Sequence, residues 1–274
     1  MSEKSNIQYF HCYATANDNS LYFEDIKNLI NIRNNCSGAK KVELYIAISK
    51  VKKQDFLDKL FVNTIKKMFA QHSTIVLKDI FFKKNTGRDF SSYSYLNKKI
   101  QAIASPNDYV FFQNRSACGP FRKNWFEEFL IQYEKFNSVA LCGSTINFKD
   151  HPSIGEKNDL PHIQSYAFLT KVKFLKMLGN SFPGENETQR LKIIREGEIG
   201  MSQVFLERGY GITCMEWKEE LITLNSAPLS KTDCKATVVA NHQFYHRKYF
   251  KKNKNAKIKN SLWKPLLSYV KFIF

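Results

Sequence analysis

"STIVLKDIFFKKNTGRDFSSYSYLNKKI", residues 73 to 100, decides how this chain is read. Its first ten residues are apolar enough for a buried strand, and a helix starts near Phe90. Between them Asn85, Thr86, Gly87, Arg88 and Asp89 make a polar turn. Strand, glycine turn and helix are one step of an alternating α/β chain.

The same alternation runs in both directions. "IQYFHCYA" (7 to 14) reads as a buried first strand. In "LYFEDIKNLINIRNN" (21 to 35), Leu21, Ile26, Leu29, Ile30 and Ile32 recur close to helical spacing. "KVELYIAIS" (41 to 49) is a second strand, and Asp55 is the expected N-cap of a helix striped by Phe56, Leu57, Leu60, Phe61, Ile65, Met68 and Phe69. Downstream, "DYVFFQN" (108 to 114) reads as a strand, followed by a Gly119-Pro120 turn and a helix over residues 123 to 133. "SVALCGSTINF" (138 to 148) and "HIQSYAFLT" (162 to 170) read as two more strands. The polar "KDHPSIGEKNDLP" between them is either a loop over a site or an exposed connection. The expected fold class is therefore α/β, a mainly parallel sheet with helices on both faces and ligands at the carboxyl ends of its strands.

The chain has 274 residues, 43% of them hydrophobic and 14% aromatic, which supports one large buried core. It contains no run of about 18 apolar residues and does not open on a secretory signal, so a cytoplasmic location is expected. Cys12, Cys36, Cys118, Cys142, Cys214 and Cys234 stand singly, without zinc-site spacing, and are read as reduced structural residues. The formal net charge is +17, yet ten of the 42 basic residues and none of the 25 acidic ones follow Asp233. The expected division is one large domain over 1–234 and a basic aromatic tail over 235–274. Lysines mixed with Trp263, Leu266, Leu267, Tyr269, Val270, Phe272, Ile273 and Phe274 fit a peripheral segment on an anionic membrane surface, at the inner face. A solvated linker and a nucleic-acid-binding segment are the alternatives, and no zinc finger or RNA-binding signature accompanies the latter.

Three stretches now stand in order: "NTGRDFSSYSYLNKKI" after one strand, "YVFFQNRSACGPF" at the end of the next, and "EGEIGMSQVFLERGYGI" over 196 to 212. Together, over roughly residues 7 to 215, they resemble the nucleotide-diphosphosugar transferases of the GT-A fold. The resemblance is to family-two inverting glycosyltransferases and to polysaccharide rhamnosyltransferase-like proteins with an "N-x-G-R-D" motif. It implies a glycosyltransferase, hexosyl or deoxyhexosyl, using a UDP-, GDP- or dTDP-linked donor. The implied acceptor is a glycan or lipid-linked glycan in surface polysaccharide synthesis.

The site residues follow from that resemblance. Asn85, Gly87, Arg88 and Asp89 would meet the donor, because a pyrophosphate needs close backbone approach and a cation. The simpler alternative is that Asp89 caps the helix at Phe90 while Arg88 points to solvent. Where the family carries Asp-x-Asp, this chain has Asn114, Arg115 and Ser116. Neutral amide and hydroxyl groups are poor ligands for Mg2+ or Mn2+, so metal dependence is left open and Arg115 is a candidate to neutralise the leaving diphosphate. The wider "N-x-S-x-x-G-P-F" pattern, with Gly119, Pro120 and Phe121, is similar to a subgroup of GT-A-like proteins.

Glu198, twelve positions before Tyr210, is the first choice for the general base of an inverting transfer, and Glu196 the second. Either could instead be an ordinary acidic residue in the first turn of a helix. His162, Gln164 and Ser165 are assigned to donor-sugar or acceptor contacts. His242 is a weak metal candidate, since His242 and His246 would share a face if that segment were helical. A non-catalytic nucleotide- or glycan-binding partner protein of the same fold is the alternative function, and a basic nucleic-acid-binding protein a third.

Overall fold

The computed structural model describes residues 7–18, 21–148, 160–179, 181–226 and 242–248. Most of the basic tail, including all of 251–274, lies outside the described residues, as does Cys234.

The chain begins with strand β1 (Tyr9–Ala16), helix α1 (Phe23–Asn34), β2 (Val42–Lys50), α2 (Phe56–Phe69), β3 (Ile75–Lys84) and α3 (Arg88–Gln101). β4 (Tyr109–Asn114) and β5 (Ala117–Cys118) follow, then α4 (Trp125–Glu134), β6 (Val139–Gly143), β7 (Ile146–Asn147) and β8 (His162–Ile163). The remainder comprises β9 (Ala167–Lys171), α5 (Val172–Met177), α6 (Arg190–Lys192), a π-helical turn (Ile193–Ile199), α7 (Gly200–Leu206), β10 (Gly211–Cys214) and β11 (Tyr245–His246).

Seven strands form one sheet in the order β10-β6-β9-β4-β1-β2-β3. β1, β2, β3 and β4 run parallel, as do β6 and β10, while β9 is antiparallel to both its neighbours. Adjacent residues of β4 show why helices cover both faces. Phe111 packs on Trp125, Phe126 and Phe129 of α4, and Phe112 on Tyr93 of α3. Successive side chains of a strand point to opposite faces, so a strand that is apolar at both positions needs a cover on each. The mainly parallel α/β class expected from the alternation is the one observed.

Asp55 caps α2 as its position implied, and its side chain and that of Asp58 form a capping box. Two expected strands are each divided. Residues 138–148 split into β6 and β7 around Ser144 and Thr145, and residues 162–170 split into β8 and β9 around Gln164 and Ser165. β7 and β8 leave the main sheet to pair with each other. β10 had no sequence reading of its own, since four residues are too short for periodicity. Residues 242–248 belong to the folded body although the composition changes near 235. Phe244 is fully buried against Phe111, Trp125 and Phe129, and β11 pairs with β5. Burial of aromatic surface, not local charge, decides that boundary. Cys12, Cys142 and Cys214 are buried free thiols, whereas Cys36 is exposed.

Candidate active site

A cleft of about 400 Å³ opens at the carboxyl ends of β1, β2 and β4, bounded by the first turn of α3. Its wall includes Asn85, Arg88, Asp89, Asn114, Arg115 and Ser116, which the sequence had placed on two separated stretches. Gly87 makes the turn into α3. Its φ is +56°, and an added Cβ would stand 1.9 Å from the carbonyl oxygen of Glu185, so a side chain is excluded by both backbone and space. Arg88 follows in the left-handed region at φ +46° and remains exposed at the cleft. Gly87, not Asp89, is the N-cap of α3, and no side chain caps it. Asp89 instead turns to β4, where its Oδ2 accepts from Asn114 Nδ2 at 2.5 Å. Burial pushes the Asp89 carboxyl above its usual value; Asn114 and Arg88 oppose that shift and Glu198 adds to it.

The Asn114 side chain is used at both ends. Its Oδ1 accepts from Ser116 N at 2.8 Å while its Nδ2 serves Asp89. Arg115 folds back over the end of β1, donating to Thr15 Oγ1 at 2.8 Å and to the Ala16 carbonyl, and pairing with Asp18. Its Nε also stands 2.9 Å from Asp25 Oδ2, close enough for an ion pair but not aligned as a hydrogen bond. Burial works against the Arg115 charge, but Asp25 and Asp18 outweigh it and hold the group above its ordinary pKa. Asp25 is buried and its other oxygen accepts from Tyr13 at 2.9 Å. Asp18 and Asp25 were missed in the sequence. A signal existed for Asp25, which lies on the same helical stripe as Leu29 and Ile32 and so carries a carboxylate onto a buried face.

The second half of the site comes from β8, the 164–165 turn and the π-helical turn. Glu198 Oε1 accepts from Gln164 Nε2 at 2.7 Å, and its Oε2 accepts from Ser165 Oγ at 2.8 Å. His162 is buried, donates from Nδ1 to the Leu160 carbonyl at 2.6 Å, and presents Nε2 at 3.8 Å from Glu198 Oε1. The sequence reading gave Glu198 the role of base and His162, Gln164 and Ser165 sugar or acceptor contacts, and the structure gathers those three around Glu198. Glu196 is exposed. Two residues along a helical turn lie on nearly opposite faces, so Glu196 and Glu198 do not share one site. Gly197 between them allows the turn to press on Phe90 of α3, since an added Cβ would come within 2.7 Å of that ring. Packing of Gly197 on α3 brings Glu198 within electrostatic reach of Asp89.

His242 is buried elsewhere, with Nε2 2.6 Å from Glu216 Oε2 and its ring stacked on Tyr245. Residues 242–246 are not helical, so His242 and His246 do not present a shared face; His246 lies edge-on to Tyr166. Among the described residues no group of three His, Cys, Asp or Glu side chains is placed to hold a metal. The β4 turn offers an amide already engaged at both ends, a hydroxyl and a neutralised guanidinium. That donor set does not fit Mg2+ or Mn2+.

No protein-family profile matches the chain, and no curated protein matches it in sequence. Its fold is similar to several solved structures at low identity. A mannosyltransferase from Pyrobaculum calidifontis, solved with GDP-mannose and Mn2+, is 13% identical over 77% of this chain and 55% of that one, with a TM-score of 0.49. S. aureus TarS residues 1–349, solved with UDP, is 10% identical over 78% and 59%, with a TM-score of 0.46. A 4-diphosphocytidyl-2C-methyl-D-erythritol synthase is 9% identical over 79% and 92%, with a TM-score of 0.43. The chain thus spans a little over half the length of the first two. Likenesses this distant leave the chemistry to be argued from the chain's own side chains.

Proposed function

We propose that this chain is a glycosyltransferase that moves a sugar from a nucleotide-sugar donor to a hydroxyl of a glycan or lipid-linked glycan, with inversion. The observation that carries this reading is the Glu198 carboxylate, held by Gln164 and Ser165 and near enough to Asp89 of the cleft wall to push that carboxyl's pKa up. Both of those donors are neutral, so they fix its direction without cancelling its charge. In the proposed reaction Glu198 takes the proton of the acceptor hydroxyl, and that oxygen bonds to the anomeric carbon. The bond from that carbon to the diphosphate breaks on the opposite face, and the nucleoside diphosphate leaves with the electron pair. Arg88, exposed at the cleft on the first residue of α3, meets the diphosphate charge together with the helix N-terminus. Asn85 and Asp89 contribute polar contacts to the donor, while Asn114, Ser116 and Arg115 shape the floor. His162, Gln164 and Ser165 act on the sugar and acceptor side through Glu198. No step is routed through a divalent metal.

A panel of UDP-, GDP- and dTDP-sugars tested by thermal shift, with and without Mn2+, checks the donor class. Stabilisation by at least one nucleotide sugar is expected, and none at saturating concentration rejects the reading. The neutral β4 turn favours one alternative, a nucleotide- or glycan-binding protein of the same fold without transfer activity. Donor binding without turnover, with every acceptor class offered, would select it. The composition of the tail supports an acceptor at the inner face of an anionic membrane. Deleting residues 251–274 should lower liposome association while leaving transfer to a soluble acceptor intact; equal pelleting with anionic vesicles rejects the membrane role.

A further inference from the structure

The turn that closes β3 has a second side. Arg88, Asp89 and Ser92 of α3 face the cleft, whereas Ser91, Ser94, Tyr95 and Lys98, on another face of the same helix, line a separate groove of about 300 Å³. Lys83 and Lys84 form its other wall, and the turn at Glu185 and Asn186 its end.

Three lysines line the groove against one carboxylate, Glu185, at its end. Lys83 is buried at 8% exposure, and its Nζ donates to the Lys84 carbonyl at 2.7 Å, to Ser91 Oγ at 2.5 Å and to the Thr86 carbonyl at 3.4 Å. All three acceptors are neutral. Among the described residues, no ion pair includes Lys83, Lys84 or Lys98. Burial pushes the Lys83 ammonium down to about 8, with Asp89 pulling the other way. A buried cation satisfied only by dipoles is stabilised by an anion that reaches it.

A second observation is independent of charge. Ser94 is 2% exposed, and its hydroxyl, buried in the wall of this groove, has no hydrogen-bond partner among the described residues. Helical serines commonly bond the carbonyl four residues back, and this one does not. An unused donor in a cationic groove calls for an acceptor-rich ligand. Among the described residues Glu185 neither bonds Ser94 nor pairs with a lysine of the groove, and its Oε2 accepts from Phe182 N at 2.9 Å.

We propose that this groove binds one phosphate group, with Ser94 Oγ donating to it from the wall, Lys84 and Lys98 supplying charge from the rim, and Lys83 beneath. The group is either free inorganic phosphate or the terminal phosphate of a larger molecule. Because the site shares the 83–88 turn with the cleft but none of its lining residues, it stands or falls apart from the transferase reading.

The test is NMR of the full chain with 13C-labelled lysine and 15N-labelled backbone, titrated at constant ionic strength with inorganic phosphate, methyl phosphate and dihexanoyl phosphatidic acid. The expected result is a saturable response at Ser94 and Thr86, with the Lys83 Cε titration moving to higher pH in the bound state. Ser94→Ala should weaken binding by about fivefold and Lys98→Gln by about threefold, while Arg88→Ala leaves it unchanged. Both of the weakening substitutions are mild, and Ser94→Ala removes only a hydroxyl that lacks a partner. Equal affinity for all three probes assigns the site to the free ion, and preference for the phosphatidic acid assigns it to a lipid headgroup. Absence of a saturable response, or one lost in Arg88→Ala and kept in the two groove variants, overturns the proposal.

Discussion

The β4 turn and the π-helical turn each carry candidate site residues, yet they handle charge in opposite ways. At the β4 turn, Arg115 is matched by Asp18 and Asp25, and Asn114 is divided between Asp89 and Ser116. At the π-helical turn, Glu198 is held by an amide and a hydroxyl that leave its charge uncancelled. The first is a closed network in which each member fixes another; the second aims a carboxylate. Closed networks resist loss of a member, because the survivor is left buried without its partner. Glu198, bonded to two neutral donors, has no ionic hydrogen-bond partner of this kind to lose.

The strongest way to break this contrast is Glu198→Gln. It keeps the shape and the hydrogen bond from Gln164 while removing the base, so transfer should fall by about 100-fold or more with donor binding retained. Turnover measured alongside calorimetric donor binding checks this, and undiminished turnover assigns the base elsewhere. Asp25→Ala tests the other region. Leaving Arg115 without its buried counter-ion and Tyr13 without its acceptor should cost about 3 kcal/mol, read as a lower urea midpoint at constant slope. Smaller still is Asn114→Asp, which places a second carboxylate against Asp89 where the amide now donates at 2.5 Å. A loss of about 1–2 kcal/mol at neutral pH is expected, partly restored by Mn2+, since two carboxylates make the oxygen pair that the native turn lacks. No change in stability or metal response would show that Asn114 and Asp89 are not coupled.

A last probe is pH, and it acts on the β1–β4 side. His11 on β1 is fully buried beneath that turn, bonded to Gln113, and burial lowers its pKa from 6.5 to about 3. Between those values the unfolded chain binds a proton that the folded chain refuses. Stability should therefore be lost as pH falls from about 6.5 toward 3, with this one residue contributing at most about 1.4 kcal/mol per pH unit. Urea midpoints measured across that range for the native chain and His11→Gln check it, the variant showing the shallower slope. Equal slopes would mean that His11 does not titrate differently in the two states.

Much of the frame was legible because its signals are local. The strand–turn–helix step at 73–100, the Asp55 cap and the five segments before and after it rest on periodicity and on residues such as Gly87, whose backbone no other residue adopts cheaply. The stretches around Arg88, Asn114 and Glu198 were named as candidates through their resemblance to GT-A transferases. Their relations could not. Asp25 reads as a polar residue in a helix until Arg115, ninety positions later, folds over β1 to meet it. Gln164 and Ser165 read as part of a strand, but the chain breaks there so that both reach Glu198.

What the sequence determined by itself is the alternation of elements, the glycine turn into α3, and the neutral Asn114 and Ser116 at the end of β4. Tertiary structure alone decided that Gly87 rather than Asp89 caps α3, that Glu198 and not Glu196 meets Gln164 and Ser165, and that Phe244 brings residues beyond the change in composition into the core. The physical reason is common to all three. Local pattern fixes which backbone shape a segment prefers, whereas the partner of a buried polar or aromatic group is set by packing between segments far apart in the chain.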